Sequence, residues 1–358
     1  MDDKLLACLR SGQELPTPLV QHVYEYGAFF ILQDFPPGSE FGIDYKSWTT
    51  GDQFLGMKMI PPGVHFVYIN IKGAPRMGFF HHFDSKEVLV KKWVKKMEDI
   101  SDEPISHECI ERFKSNLKSL DRNLGPYPYE EYRKWYSLTD FITKADLERI
   151  NPLKGRISAY AELESLETKM QREADVGCSN KVDREHPKRM RFADGDGLPV
   201  MEVVPGYEIR FTAIDELGGT NGRREDHSAH LMKIMQKISA KEVLAELQYS
   251  FVIFLELLLV WDGLEQWKKM IHLLCLSPSA IVHQPLLFDN LMRVLFFQLK
   301  ECPPDFFIDI ISKDNFLTTT LSVMFANISD SQASSELKTK SAKFKALLSK
   351  NFKWSFDC

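Results

Sequence analysis

The strongest constraint on the fold is a change in hydrophobic periodicity along the chain. Between residues 28 and 93, short β-branched and aromatic runs such as FFILQDF and VHFVYINIK are separated by Pro-Pro-Gly or single glycines. Such runs are typical of strands in an all-β domain. Five or six of them within about 70 residues predict a sandwich or barrel. The alternation of Phe41, Ile43 and Tyr45 with smaller or polar neighbours places these three side chains on one sheet face.

Helical spacing replaces this alternation after the last predicted strand. Ile110, Phe113 and Leu117 stand three or four residues apart, and residues 143–146 carry a capping-box pattern. The second half of the chain predicts helices at 228–238, 240–261, 264–276, 286–300, 306–311, 316–328 and 334–351. Residues 244–261 are apolar on all sides, which predicts a central helix enclosed by the others.

The region between these two patterns has a different composition. From residue 167 to 226, apolar periodicity is lost and Gly, Pro, Asp and basic residues accumulate, with one strand-like patch, YEIRFTAI, at 207–214. A chain of 358 residues is also too long for one ordinary core. We therefore predict a β-sandwich-like domain with trailing helices at 1–165, a linker at 166–225 and an all-α domain at 226–358.

Composition excludes several classes of protein. The net charge is −5, so no global positive field indicates a polyanionic partner. Six cysteines without a C-x-x-C pair are typical of free thiols in a reducing compartment. The N-terminus lacks a signal-peptide pattern, and the longest apolar run is shorter than the ~20 residues that span a bilayer. We expect a soluble intracellular protein.

No local motif carries catalytic chemistry. His81 and His82 are neighbours on a predicted strand and point to opposite faces, and His227 and His230 lack a third metal ligand nearby. The GGTNGRR segment does not have the residue order of a phosphate-binding loop, and no G-x-S-x-G is present. We expect no catalytic residue, cofactor or metal. A hydrolase site in the β domain, assembled from residues distant in sequence, stays an open alternative.

Several long runs together resemble one known family, the Aar-two splicing-factor family. They are FGIDYKSW (41–48), KMIPPGVHF (58–66), PRMGFF (75–80), LGPYPYEEYRKWYSLTDFI (124–142), ELQYSFVIFL (246–255), EQWKKMIHLLC (265–275) and KFKALLSKNFKWSF (343–356). The resemblance spans about residues 27–356, nearly the whole chain.

This resemblance implies both a fold and a function. The implied fold is a β-sandwich-like N-terminal domain and a C-terminal helical domain similar to VHS-type superhelices. The implied function is that of a non-enzymatic assembly chaperone of the U5 small nuclear ribonucleoprotein precursor, required for pre-mRNA splicing. Such a chaperone binds the RNase H-like and Jab/MPN-like domains of the Prp-eight scaffold and delays docking of the U5 helicase. We accordingly expect a cytoplasmic and nuclear protein with no membrane partner and no direct sequence-specific nucleic-acid binding.

An aromatic-rich segment at 124–141 and the C-terminal segment supply candidate partner-binding residues, because aromatic residues and arginine are favoured at interface centres. The candidate anchors are Tyr127, Tyr129, Lys134, Trp135, Lys343 and Trp354. Buried packing between the β domain and the following helix is the alternative role for the aromatic residues.

The last predicted helix is rich in lysine. Its lysines, with no acidic residue between them, are Lys338, Lys340, Lys343, Lys345, Lys350 and Lys353. An apolar stripe on the same helix favours docking onto the core with the charges left in water. The alternative is a general RNA- or membrane-surface-binding adaptor that uses this helix.

Overall fold

The computed structural model consists of an N-terminal β-sheet region followed by an all-helical region, which confirms the predicted fold class. The residues that the structure describes are 17–71, 76–158, 163–165, 201–214, 226–257, 261–302 and 316–356. The helix predicted at 306–311 and the GGTNGRR segment lie outside them. The predicted domain limits adjoin residues outside the described part, and they stay predictions.

Two five-stranded sheets form the β region. The strands are β1 (Ala28–Gln33), β2 (Glu40–Ile43), β3 (Lys46–Thr49), β4 (Gly56–Ile60), β5 (Gly63–Asn70), β6 (Met77–Phe83), β7 (Val88–Val94), β8 (Asp99–Ile100), β9 (Leu124–Pro126), β10 (Ile157–Ser158), β11 (Leu163–Ser165) and β12 (Met201–Val203). Sheet A has the order β8-β7-β1-β4-β9, sheet B has the order β10-β6-β5-β2-β3, and β11 pairs with β12. The sheets therefore end at β8 and β10 on one side and at β9 and β3 on the other.

The helices follow the predicted spacing closely. They are α1 (Thr17–Tyr26), α2 (His107–Leu120), α3 (Tyr129–Thr139), α4 (Lys144–Ile150), α5 (Ser228–Met235), α6 (Ala240–Leu257), α7 (Trp261–Cys275), α8 (Pro278–His283), α9 (Pro285–Glu301), α10 (Phe316–Asp330) and α11 (Ser335–Phe352). Helices α1 and α3 were not predicted, and neither was α8. Helix α8 begins with Pro278, whose missing N–H has no intrahelical partner at the first position of a helix, so the proline starts the helix instead of separating two others.

The two sheets pack face to face around one apolar core, which makes the β region a sandwich. The ring centroid of Phe30 on β1 lies 5.8 Å from that of Phe41 on β2 and 6.0 Å from that of Phe79 on β6. Because successive side chains of a strand point to opposite faces, Phe29 and Ile31 leave this core and join a second cluster. Helix α2 covers that outer face of sheet A.

The predicted common face of Phe41, Ile43 and Tyr45 is correct for the first two residues and wrong for the third. Strand β2 ends at Ile43, and Asp44 adopts a φ of +52° at the turn into β3. The turn carries Tyr45 out of the sandwich, where its ring lies 6.3 Å from that of Trp135. A left-handed turn residue interrupts the period of two, so the alternation does not continue through it.

The other face of sheet B packs against the helices. Phe66 and Phe80 belong to the same buried cluster as the helical region, and the ring of Phe80 lies 4.5 Å from that of Tyr249 on α6. Residues 243–253 of α6 are all buried, which confirms the predicted enclosed central helix. That helix was predicted to continue to Trp261. The structure describes α6 as far as Leu257 and α7 from Trp261; residues 258–260 lie outside the described part, so the predicted end stays a prediction.

The segment 207–214 is not a strand, so the predicted strand-like patch is wrong. Its main chain is bound by a side chain of the helical region instead of a neighbouring strand: the N–H of Thr212 donates to the Glu246 carboxylate at 2.7 Å. Ile214 is buried in the helical core. The apolar residues of this patch therefore pack as an irregular strap between the two regions.

Candidate interaction surfaces

One lateral edge of the sandwich is open and apolar. A cavity of about 480 Å³ lies between β3 of sheet B and β9 of sheet A, and we call it the edge groove. Its lining includes Trp48, Phe54, Met57, Pro126, Tyr127 and Pro128. Trp48, which lies on the edge strand β3, is 37% exposed. A large, partly exposed aromatic side chain beside an unpaired strand is a common feature of protein-binding surfaces.

The opposite lateral edge is closed by charges, and we call it the charged edge. The guanidinium of Arg156 lies 2.7 Å from Asp99 and 2.6 Å from Asp102, and it also donates to the Tyr207 hydroxyl. Lys154 adds a 3.2 Å contact to Asp102. These groups border a smaller cavity of about 320 Å³ between β7, β8 and the 153–156 turn. The lining of this cavity thus carries several charged groups, unlike that of the apolar edge groove.

The predicted anchor Tyr127 forms part of the groove but contributes little surface to it. Its side chain is 3% exposed, and its hydroxyl donates to Asp44 at 2.5 Å. The same carboxylate lies 2.7 Å from Nδ1 of His65 and accepts the Phe66 N–H at 3.0 Å. Burial, followed by the charge and hydrogen bond of Asp44, raises the pKa of Tyr127 well above its ordinary value. The phenol therefore stays protonated and holds the groove wall in place.

The other members of the aromatic segment join α3 to both sheets of the sandwich. The indole N–H of Trp135, a residue that is 1% exposed, donates to the Val64 carbonyl at 2.7 Å. The hydroxyl of Tyr129 donates to the Met59 carbonyl. These bonds satisfy polar groups that burial would otherwise leave without partners. The aromatic segment is therefore internal packing in the folded chain.

Polar contacts reinforce this joint between the β region and the helical region. Lys134 lies 2.7 Å from Glu301 of α9, and its Nζ stands 4.0 Å above the ring of Tyr45. The fully buried Glu246 of α6 accepts hydrogen bonds from Thr212 and Gln266 and lies 2.6 Å from Arg149. Because these contacts connect elements far apart in sequence, they favour one rigid body over two loosely linked domains.

The buried Glu256 of α6 has a different environment. Burial, and then the nearby charge of Asp44, raises the pKa of this carboxyl to about 8, although Arg76 and Lys134 oppose the shift. Among the described residues, no cation forms a salt bridge with its carboxylate. Arg76 instead donates to the main-chain carbonyl of Glu256 at 3.1 Å. At neutral pH the carboxyl is therefore mainly protonated.

Helix α11 docks on the helical core, as its apolar stripe predicted. Phe344 and Leu348 are buried, whereas Lys343 and Lys350 are exposed on the outer face. Trp354 is buried beyond the end of the helix, where it stacks on Phe352 with ring centroids 5.0 Å apart. The predicted anchors of this segment are thus one surface cation and one core aromatic residue.

Comparison with known proteins assigns the chain to a family. A profile of the AAR2 N-terminal domain matches residues 26–152, and a profile of the AAR2 C-terminal repeat region matches residues 222–357. A Caenorhabditis elegans relative named Protein AAR2 homolog is 51% identical over 356 residues, which cover 97% of this chain and 99% of the relative. The chain belongs to the AAR2 family. The Homo sapiens relative of the same name is 36% identical over 362 residues, with 96% and 94% covered.

Membership in the AAR2 family confirms the resemblance found in the sequence and supports a splicing-related role. It does not assign a partner surface to particular residues. Of the candidate anchors, the structure places Tyr127, Trp135 and Trp354 in the interior, and such side chains offer almost no area to a partner in this conformation. Their contact with a partner stays a prediction.

The groove residue that the sequence reasoning missed is Trp48. It lies in FGIDYKSW, which served only to identify the family. The sequence did contain a signal for an edge strand at this place. Short strands with charged and polar residues are typical of sheet edges, and this one carries Lys46, Ser47 and Thr49 beside the tryptophan. The predicted alternation ended at Tyr45, so it predicted neither β3 nor that the outer side of this strand has no neighbour among the described residues.

The two adjacent histidines of β6 have acidic side chains as partners. His81 lies 2.8 Å from Glu87 and His82 lies 3.5 Å from Asp84, on opposite sides of β6. In the part of the chain that the structure describes, no cluster of three His, Cys, Asp or Glu side chains is arranged to hold a metal ion. No helix among the same residues combines the length and hydropathy needed to cross a bilayer.

Proposed function

We propose that this AAR2-family chain is a non-enzymatic assembly factor of the U5 small nuclear ribonucleoprotein. It binds the RNase H-like and Jab/MPN-like domains of the Prp-eight scaffold and delays docking of the U5 helicase. The observation that carries the proposal is the match to both AAR2 regions in order along the chain. The full-length similarity to Protein AAR2 homolog sequences supports it, because it includes the sandwich and the helices together.

The architecture supports a mechanism of surface competition. The aromatic segment and the Glu246 contacts hold the sandwich and the helices in a fixed arrangement, so a surface that spans both can bind without first being ordered. A stable complex requires burial of roughly 1,200 Å² or more of total surface. A factor that buries such an area of the scaffold excludes the helicase from any part that the two share, and it is released later by mass action.

The positions of the groups with raised pKa values support a non-catalytic role. Tyr127 and Glu256 have strongly raised pKa values, but burial is the main cause in both cases and both side chains are enclosed by packing. Such groups stabilise or destabilise the fold instead of meeting a substrate. We also propose a cytoplasmic and nuclear location, in keeping with a factor that escorts a precursor to its site of maturation.

Affinity purification of the full chain from cells, followed by identification of the bound proteins, tests the proposal. We expect recovery of the Prp-eight scaffold and other U5 precursor proteins without the helicase. Purified fragments of the two scaffold domains should then bind the chain directly. Absence of U5 proteins under mild conditions, together with no binding to the fragments, would refute the proposal.

A second candidate function is favoured by one observation, the exposed Lys343 and Lys350 on the outer face of α11. This face could bind RNA or an anionic membrane surface as a general adaptor. An RNA complex that uses several phosphate contacts loses orders of magnitude in affinity between low and moderate salt. Titration of the chain with single-stranded RNA, and separately with phosphatidylserine vesicles, at 50 and 200 mM salt would detect such binding. A Lys343→Glu, Lys350→Glu variant should abolish it.

A further inference from the structure

Strand β3 has one side free of main-chain partners among the described residues. Thr50, directly after β3, directs both its N–H and its C=O to residues 38 and 39 on the β2 side, at 2.8 Å each. Alternate residues of a strand direct their main-chain groups to the same side, so Lys46 and Trp48 also pair with β2. Ser47 and Thr49 therefore present their donors and acceptors to the open edge.

The edge groove lies beside these free groups and is apolar. The ring of Phe54 forms part of its floor and lies 4.9 Å from that of Phe41 in the sandwich core. Lys46 and Glu130 are the charged residues of the lining, and they lie 3.6 Å apart. Because these two charges compensate each other, the groove matches an uncharged apolar group better than an ion of either sign.

The charged edge, on the other side of the sandwich, shows how this chain protects an edge that does not bind another chain. There Arg156, Asp99 and Asp102 form an ionic cluster, and Lys91 lies on the inward face of β7. Inward-pointing charges of this kind are a common protection against pairing with another chain. The edge beside β3 has a partly exposed tryptophan in their place, which favours pairing.

We propose that β3 and the edge groove bind an extended segment of a partner protein. The segment adds to sheet B as a further strand, its main chain pairs with Ser47 and Thr49, and a large apolar side chain enters the groove beside Trp48. A cavity of about 480 Å³ is within the ~300–1,000 Å³ range of pockets that enclose organic groups. This site extends the proposed function, but it does not require the segment to come from the U5 scaffold.

Selection from a display library of random twelve-residue peptides on the intact chain tests this inference. We expect enriched peptides that lack internal proline and carry a large apolar residue, and we expect a synthetic copy to bind with a 1:1 stoichiometry. Trp48→Asp should weaken its binding at least tenfold. Thr49→Pro should do the same, because it removes an outward N–H without removing a bond to β2.

Met97→Asp is the matched control, because Met97 is 66% exposed in the turn before β8, at the charged edge. This variant should bind the peptide as well as the parent does. Circular dichroism and thermal unfolding of each variant confirm that it is folded. Failure to enrich any peptide, or equal binding by the parent and both β3 variants, would overturn the inference. Peptide binding without scaffold binding would leave this site standing and refute only the proposed function.

Discussion

The two lateral edges of the sandwich differ in how they are protected against pairing with another chain. At the charged edge, Arg156 joins Asp99 and Asp102, and a short strand, β8, ends the sheet. At the other edge, Trp48 and the edge groove stay accessible, and only the exposed pair of Lys46 with Glu130 borders them. The comparison distinguishes two kinds of edge: one where charges protect the fold, and one where an apolar surface is available to a partner.

The largest expected loss of stability follows from disruption of the charged edge. Replacement of Arg156 by alanine leaves the largely buried Asp99 without its cation, and we expect the free energy of unfolding to fall by about 3 kcal/mol. Urea denaturation followed by circular dichroism measures the loss. Lys154→Ala is the control in the same cluster, and its more exposed contact should be worth about 0.5 kcal/mol or less. Equal effects of the two variants would mean that the charged edge has no structural role.

An effect of opposite sign, a gain in stability at alkaline pH, is expected at Glu256, a buried carboxyl that among the described residues lacks the guanidinium partner found at the charged edge. Because its pKa in the fold is about 8 and its ordinary value is 4.5, the folded chain holds this proton more tightly than the unfolded chain. The stabilisation that comes from this bound proton is complete below pH 4.5, and it is lost as the pH rises to 8. Glu256→Gln should therefore be more stable than the parent at pH 8, by about 4 kcal/mol.

Urea denaturation between pH 5 and pH 8.5 measures this difference. The parent should lose stability relative to the Gln variant as the pH rises, and the two should converge toward the acidic end. Glu265→Gln, at an exposed side chain that pairs with Lys268, should leave the pH profile unchanged. Parallel profiles for the parent and Glu256→Gln would contradict the raised pKa.

The third prediction concerns the support behind the edge groove. Tyr127→Phe removes one hydrogen bond to the buried Asp44 but keeps the ring, and we expect a loss of about 1 kcal/mol. Peptide binding to the groove should not change, because the apolar wall is preserved. Tyr26→Phe, at an exposed ring, should alter stability by no more than a few tenths of a kcal/mol. A larger loss of peptide binding than of stability would show that the hydroxyl itself contacts the peptide.

The smallest effect is expected at the rim of the groove. Lys46 and Glu130 are exposed and 3.6 Å apart, so Lys46→Ala should change the free energy of unfolding by no more than about 0.5 kcal/mol. The same denaturation measurement checks this value. A change comparable to that of Arg156→Ala would erase the distinction between the two edges.

Local periodicity was sufficient to predict most of the secondary structure. The spacing of Ile110, Phe113 and Leu117 predicted α2, and the box of Thr143 with Asp146 predicted α4, because each signal lies within one or two helical turns. The prediction failed at Tyr45, where a single left-handed residue redirects the chain.

Burial in three dimensions was harder to predict than secondary structure. Aromatic density at 124–141 indicated an interface, but these side chains pack inside the chain, partly in the sandwich core and partly between sheet B and the helices. The sequence around Trp135 would be equally aromatic whether its side chain contacted a partner protein or, as in the structure, the Val64 carbonyl. The edge groove depends on which strands lack neighbours, and sheet order is a property of long-range pairing that no local pattern in β3 or β9 contains.

Competition between this chain and the U5 helicase for the Prp-eight scaffold tests the central claim most directly. The fluorescently labelled chain is bound to a scaffold fragment containing the RNase H-like and Jab/MPN-like domains, and unlabelled helicase is added in increasing amounts while anisotropy is recorded. The account predicts that the helicase displaces the chain, with no ternary complex on size-exclusion chromatography. A stable ternary complex, or no binding of the chain to the fragment at all, would contradict it.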